Sequence, residues 1–149
     1  MVYLYGVMPD KCYQLFVYGS LRSGFKHPAY AYISNFFTLV GEASVPGCLY
    51  DMGEYPAAIP SEAGCMIKGE LYHITNADQF GWAIAQLDDY EGVHPDDGET
   101  PHYRRAITKV FCNGVETTAW IYWFNLSIEG CPLIESGDVL EYLFRKNNS

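Results

Sequence analysis

The chain has 149 residues, the size of one domain built on one hydrophobic core. Its net charge of −9 argues against nucleic acid and against an anionic membrane surface, since both need a basic face. A hydrophobic content of 49% and an aromatic content of 16% exclude disorder, and thirteen tyrosines suit strands and an aromatic-lined pocket.

Met1 to Met8 has no basic n-region and no long apolar core, so the cytoplasm is the expected compartment. The longest strongly apolar run, Ala119 to Phe124, is too short to span a bilayer. Met1 to Lys11 reads either as an edge strand or as a loose arm. The first core strand runs from about Tyr13 to Tyr18 and breaks at Gly19-Ser20. A strand that stops at Gly-Ser leaves backbone N–H groups unused by the sheet, and these can bind a carboxylate, a phosphate or an oxyanion. A plain tight turn is the alternative. Arg22-Ser23-Gly24 continues the loop. Pro28 suits a first helical turn, and Ala29, Ile33, Phe36 and Phe37 recur at helical spacing.

Leu39 to Tyr50 reads as strand, with a bulge or bend at Pro46-Gly47. Asp51 to Ala63, rich in Gly, Pro and Ala, reads as loop. Met66 to His73 alternates, with Ile67, Gly69 and Leu71 inward and Lys68 and Glu70 on a solvated face. Thr75 or Asn76 can cap a helix that runs to about Tyr90, with Phe80, Ile84 and Leu87 as its apolar stripe and Gly92 as its C-cap. Val93 to Pro101 is an acidic loop. Arg105 to Cys112 and Val115 to Phe124 are strands joined by Asn113-Gly114, a strong two-residue hairpin signal. Ala119 to Phe124 is apolar on both faces and belongs in the centre of a sheet. Ser127 to Gly137 reads as loop, and Asp138 to Phe144 as a short helix. This order predicts an α+β fold with a mainly antiparallel, curled sheet, and no linker or repeat divides the chain.

One carboxylate is oddly placed. On the helical wheel Glu91 falls about 20° from Ile84 and Phe80 and about 40° from Leu87, so it continues the apolar stripe. A carboxylate there is costly unless paired, hydrogen-bonded or protonated, and burial among aromatic rings raises its pKa towards that of a general acid–base. The alternative is a Glu at a frayed helix end, bent into solvent or paired with Arg105. Asp88, Asp89, Asp96 and Asp97 read as solvated charge. His27, His73, His94 and His102 form no ligand pattern, and the five cysteines show no CxxC spacing. They read as small buried thiols. No metal or cofactor is called for. Ser20 lacks a histidine partner and a G-x-S-x-G elbow, and no Gly-Lys-Ser/Thr follows Gly19 or Gly24.

Several runs, taken in order, resemble the gamma-glutamylcyclotransferase-like family, which includes the gamma-glutamylamine cyclotransferases and AIG2-like proteins. They are Leu15-Phe16-Val17-Tyr18-Gly19-Ser20-Leu21-Arg22, Leu39-Val40-Gly41-Glu42-Ala43, Gly53-Glu54-Tyr55-Pro56-Ala57 and Ile67-Lys68-Gly69-Glu70-Leu71-Tyr72. Leu87-Asp88-Asp89-Tyr90-Glu91-Gly92, Tyr103-Arg104-Arg105, Ala119-Trp120-Ile121-Tyr122 and the tail Ile134-Glu135-Ser136-Gly137-Asp138 follow. The resemblance covers roughly residues 13 to 143 of a single domain. It implies a small mixed, mainly antiparallel β-barrel with flanking helices and a pocket at one end. It further implies that Glu91 is the catalytic acid–base, and that Tyr18, Gly19, Ser20 and Leu21 hold the glutamyl end of a small γ-glutamyl substrate, with Tyr103 beside them. The implied reaction is attack of the substrate's α-amine on its γ-carbonyl, releasing 5-oxoproline without a cofactor. Tyr18, Tyr55, Tyr103 and Tyr122 are candidate pocket walls, with ordinary aromatic core as the alternative for each. A non-catalytic binding or signalling module on the same fold, and a γ-glutamyl hydrolase or acyltransferase, are the rival readings. The acidic Val93 to Pro101 loop is longer than in compact members and is a candidate rim.

Overall fold

The computed structural model describes residues 12–19, 28–53 and 55–147. The readings of Met1 to Lys11 and of Arg22-Ser23-Gly24 lie outside these. The described elements run β1 (Gln14–Val17), α1 (Pro28–Phe36), β2 (Phe37–Pro46), β3 (Cys48–Asp51), β4 (Pro56–Ile59) and β5 (Met66–Ile74). A 3₁₀ turn (Ala77–Gln79) leads into α2 (Phe80–Glu91). Then come β6 (Tyr103–Cys112), β7 (Val115–Phe124), β8 (Leu133–Ile134) and α3 (Val139–Asn147).

Five strands close into a barrel in the order β1-β5-β2-β6-β7. All neighbours are antiparallel except the closing pair, where Leu15 meets Trp120 in a parallel bridge. The α+β barrel with flanking helices expected from the sequence is therefore the fold. Asn113 and Gly114 take positive φ values of 53° and 77°, and they link β6 to β7 as the tight hairpin that Asn-Gly favours. Closure removes the exposed edges that a short sheet would otherwise present.

Side-chain alternation divides the core in two. On β1, Phe16 joins Ala43, Val45, Ile67, Leu71, Val110, Ala119 and Ile121 in one buried cluster, while Leu15 and Val17 join a second cluster under the helices. On β7, Ala119, Ile121 and Trp123 face the first cluster and Tyr122 the second. Both strands are thus buried on both faces, as the unbroken apolar run in Ala119 to Phe124 predicts. The second cluster receives Ile33 from α1 and Phe80, Ala83, Ile84 and Leu87 from α2.

Pro46 ends β2, and Gly47 turns the chain out of the barrel into a separate three-stranded sheet of order β4-β3-β8. The bend expected at Pro46-Gly47 is where the chain changes sheet; the register shift in β2 itself falls between Leu39 and Gly41. Two segments read as loop contain strands. Pro56-Ala57-Ala58-Ile59 has weak intrinsic β preference, but it pairs along all of β3, and Ala57 and Ala58 are wholly buried. Leu133-Ile134 pairs with Tyr50 and Leu49 on the other side. Asp138 caps α3, accepting from the Leu140 and Glu141 N–H groups, and Asp51 receives the Tyr142 hydroxyl at 2.7 Å and Lys146 Nζ at 2.8 Å.

Glu70 corrects the half-solvated reading of β5. It is buried, with the Tyr72 hydroxyl donating to it at 2.9 Å. The alternation holds only over the first residues of the strand, where Met66 and Lys68 are exposed. The cysteine reading holds in part: Cys48 and Cys112 are buried thiols, whereas Cys12, Cys65 and Cys131 are half-buried.

Gly69 leaves no room for a side chain where β5 runs against β1. A Cβ there would lie 2.1 Å from the Val17 carbonyl oxygen and 2.8 Å from the Phe16 ring. Neither neighbour can retreat, since both are in the barrel wall. Gly69→Ala should therefore lose about 3 kcal/mol or more of stability, read as a fall in thermal midpoint by circular dichroism. Gly19→Ala is the matched control, because among the described residues its added methyl meets only the Pro56 ring, at 3.4 Å from Cγ and 3.9 Å from Cδ.

Candidate active site

The site is built where β1 ends, beside the last turn of α2. Asn76 accepts from the Asp78 N–H and opens the 3₁₀ turn that feeds α2. Gly92, in the left-handed region at φ 72°, closes the helix with its N–H on the Asp88 and Asp89 carbonyls. These caps fix which residue ends the helix, and that residue is Glu91.

Glu91 is half-buried, and its carboxyl makes no hydrogen bond or ion pair among the described residues. Burial pushes its pKa from 4.5 up to about 7. Three tyrosines lie within the field of its charge. They are Tyr18 at the end of β1, Tyr103 at the start of β6 and Tyr122 on β7. Burial raises all three phenols first; Glu91 adds to each. None of the three hydroxyls donates to Glu91, because each gives its proton to another acceptor.

The tyrosines are held in place by the backbone. The Tyr18 hydroxyl donates to the Tyr122 carbonyl, and the Tyr103 hydroxyl donates to the Pro56 carbonyl at 3.2 Å. Gly19 runs beside the Pro56 ring. Tyr55, Tyr103 and Phe124 form an edge-packed trio with ring centroids 5.5–6.4 Å apart, and Tyr55 is exposed at its outer side. The second sheet thus contributes a wall, through Tyr55 and Pro56, to a site whose polar groups come from the barrel and α2.

The structure therefore brings Tyr18, Gly19, Tyr103 and Glu91 to one place. Ser20 and Leu21 lie outside the described residues, as does Glu54. The Val93 to Pro101 loop leaves from Glu91 and returns at Tyr103, tied down by Asn125 through its Nδ2 on the Pro101 carbonyl at 3.0 Å.

Two charge readings are overturned. Arg105 does not pair with Glu91; it grips Asp88, with Nε at 2.8 Å from Oδ1 and Nη2 at 3.1 Å from Oδ2. Asp88 in turn is no solvated charge. It is buried, only 4% exposed, and also accepts the Tyr122 hydroxyl at 2.8 Å. The signal was on the same helical wheel, where Asp88 falls about 40° from Ile84 and so inside the apolar face. Arg105 also stacks over Trp120, 4.3 Å from the ring centroid.

Among the described residues no group of three or more His, Cys, Asp and Glu side chains is placed to hold a metal ion. No helix among them is long and apolar enough to cross a membrane.

The fold is a small mixed barrel with flanking helices, and Glu91, half-buried at the end of α2, is a carboxyl of raised pKa. The sequence matches the family described as gamma-glutamyl cyclotransferase, AIG2-like, over residues 15–141, and the chain belongs to that family. The gamma-glutamylcyclotransferase family protein YtfP of Escherichia coli K12 is 34% identical over 131 residues, covering 86% of this chain and 96% of YtfP. Its solution structure superimposes with a TM-score of 0.59 at 30% identity, over 87% of this chain and 97% of that one. An AIG2-like protein of Mus musculus shares the fold, with a TM-score of 0.62 at 23% identity over 84% and 87% of the two chains.

Proposed function

We propose that this protein is a cyclotransferase for a γ-glutamyl compound, with Glu91 as its acid–base. The observation that carries the reading is the Glu91 carboxyl itself, raised to about 7 by burial and left without a partner among the described residues. A group with that pKa takes and returns protons near neutrality.

A γ-glutamyl compound carries its own nucleophile. The α-amine nitrogen attacks the γ-carbonyl carbon, a five-membered ring closes, and the bond from that carbon to the leaving nitrogen breaks. The α-ammonium must first lose a proton, which Glu91 accepts. Protonated Glu91 then delivers that proton to the leaving nitrogen, and the second proton, shed by the ring nitrogen as the lactam forms, follows it, so 5-oxoproline and the amine in its ammonium form are released and Glu91 returns as the carboxylate. Folding the substrate into the attacking conformer supplies the remaining acceleration, worth several kcal/mol in intramolecular reactions. Tyr18 and Tyr103 support the reading as neutral hydroxyls within the field of Glu91 that give their protons to backbone carbonyls and leave the carboxyl to the substrate. The backbone N–H of Gly19, with Ser20 and Leu21 beyond it, is proposed to hold the substrate's carboxylate or developing oxyanion.

The test is a panel of γ-glutamyl amino acids, γ-glutamylamines and glutathione with 5-oxoproline as the readout. Release of 5-oxoproline in step with free amine supports the cyclotransferase. Release of free glutamate instead would mean a hydrolase, and binding without turnover would mean a ligand-binding module.

A further inference from the structure

The chain leaves the barrel after Pro46 and re-enters it at Met66, and these two residues face each other across β2 and β5. One step beyond that pair the ladder continues, with the Gly47 N–H donating to the Cys65 carbonyl at 3.0 Å. This neck is tight. A Cβ at Gly47 would lie 2.9 Å from the Ile59 carbonyl oxygen and 2.8 Å from Ile67 Cδ1. Cys48 comes next, as the first residue of β3, and pairs with Ile59 at the end of β4. Two cysteines therefore flank one neck, and their side chains meet. The Cys65 S–H donates to the Cys48 sulfur, and that contact, ahead of burial, raises the Cys65 thiol above its usual range. Both are free thiols; Cys48 is buried and Cys65 half-buried, so a reagent reaches Cys65 first. The other three thiols are engaged elsewhere. Cys12 donates to the Thr118 carbonyl, Cys131 donates to the Glu129 carbonyl, and Cys112 lies in the first core cluster.

We infer that Cys48 and Cys65 are a redox-active pair, which a small-molecule disulfide such as oxidised glutathione closes into an intramolecular disulfide that staples the second sheet to the barrel at its neck. The Cys65 thiolate attacks one sulfur of oxidised glutathione, which leaves a mixed disulfide on Cys65 and releases one glutathione. The Cys48 thiolate then attacks the Cys65 sulfur, closes the protein disulfide and releases the second glutathione. Each cysteine gives up one proton and each glutathione takes one. The pair is oxidised by two electrons, and the glutathione disulfide is reduced by the same two. The bond joins both ends of the excursion that carries β3, Tyr55, Pro56 and β4, so the wall beside Tyr103 becomes tied to the start of β5. It also restricts the unfolded chain, the usual source of disulfide stabilisation. The pair has no sequence motif, because strand register brings its members together. The inference is independent of the reaction proposed above, since it uses neither Glu91 nor the tyrosines around it.

The experiment incubates the folded protein with excess oxidised glutathione at pH 8.5, blocks the remaining thiols, and maps the peptides by mass spectrometry, with a thermal melt of the same sample. The expected product is one disulfide joining Cys48 to Cys65, reversed by dithiothreitol, with a melting midpoint about 5 °C or more above that of the reduced protein. Cys65→Ser should show neither the bond nor the rise. Cys48→Ala should stop at the mixed disulfide, with glutathione retained on Cys65. A wild type that stays reduced would overturn the proposal, as would one that keeps glutathione on Cys65 without closing. A disulfide to any other cysteine, or a closed bond with no rise in the midpoint, would overturn it equally. If Cys48→Ala does not fold, the wild-type map and Cys65→Ser decide: a rise on oxidation that persists in Cys65→Ser contradicts the staple, and its loss supports it.

Discussion

Glu91→Gln should lower 5-oxoproline release by about 10²–10⁴-fold, the usual contribution of a positioned acid–base, and should make the protein more stable at alkaline pH. The amide has the shape of the carboxyl and occupies the same place among Tyr18, Tyr103 and Tyr122, so substrate binding is expected to survive. The stability effect follows from the raised pKa. Between about 4.5 and about 7 the folded protein holds a proton on Glu91 that the unfolded chain has released. Wild-type stability therefore falls as pH rises through that window and stays lower above it. Because Glu91 is half-buried, the lost stability is about 1–3 kcal/mol. Gln carries no charge and escapes the penalty. Thermal melts at pH 8 should place Glu91→Gln above wild type, and melts at pH 4.5 should bring the two together. A variant that is inactive and equally stable at both pH values would show that Glu91 is not the desolvated group described above.

The second large effect is on stability alone. Arg105→Met should cost about 3–5 kcal/mol, because it leaves the Asp88 carboxylate buried with only the Tyr122 hydroxyl and the exposed His94 nearby. Met keeps an apolar contact on Trp120, so loss of packing is not the cause. Adding Asp88→Asn to Arg105→Met removes the orphaned charge and should recover most of the loss. Urea denaturation of the two variants measures this directly; equal stabilities would show that the pair is not a buried charge unit. Exposed pairs such as Arg145–Glu141, on the solvent side of α3, are worth far less.

Local chemistry made much of this molecule readable before any coordinates. Asn113-Gly114 dictates its hairpin, Asn76 caps the 3₁₀ turn that leads into α2, Gly92 ends that helix, and the unbroken apolar run of β7 demands burial on both faces. Glu91 stood out because one charge on an apolar stripe is a local anomaly. What escaped depends on partners distant in sequence. Pro56-Ala57-Ala58-Ile59 is a strand because β3 pairs with it, not because its residues prefer to extend. Glu70 looked solvated because β5 alternates at its start, and only the closed barrel buries both faces further along. Asp88 looked solvated because three further aspartates lie close by in sequence. Its burial is visible only once Arg105 and Tyr122 arrive from the β6–β7 hairpin.

The most direct measurement is kcat/KM for 5-oxoproline release against pH, from 5.5 to 8.5, on a substrate that the panel identifies. An unpaired Glu91 acting as the base gives an acid limb with its midpoint near 7, where burial places its carboxyl. A rate that stays level from pH 5.5 to 8.5 would contradict a desolvated Glu91 as the catalytic base.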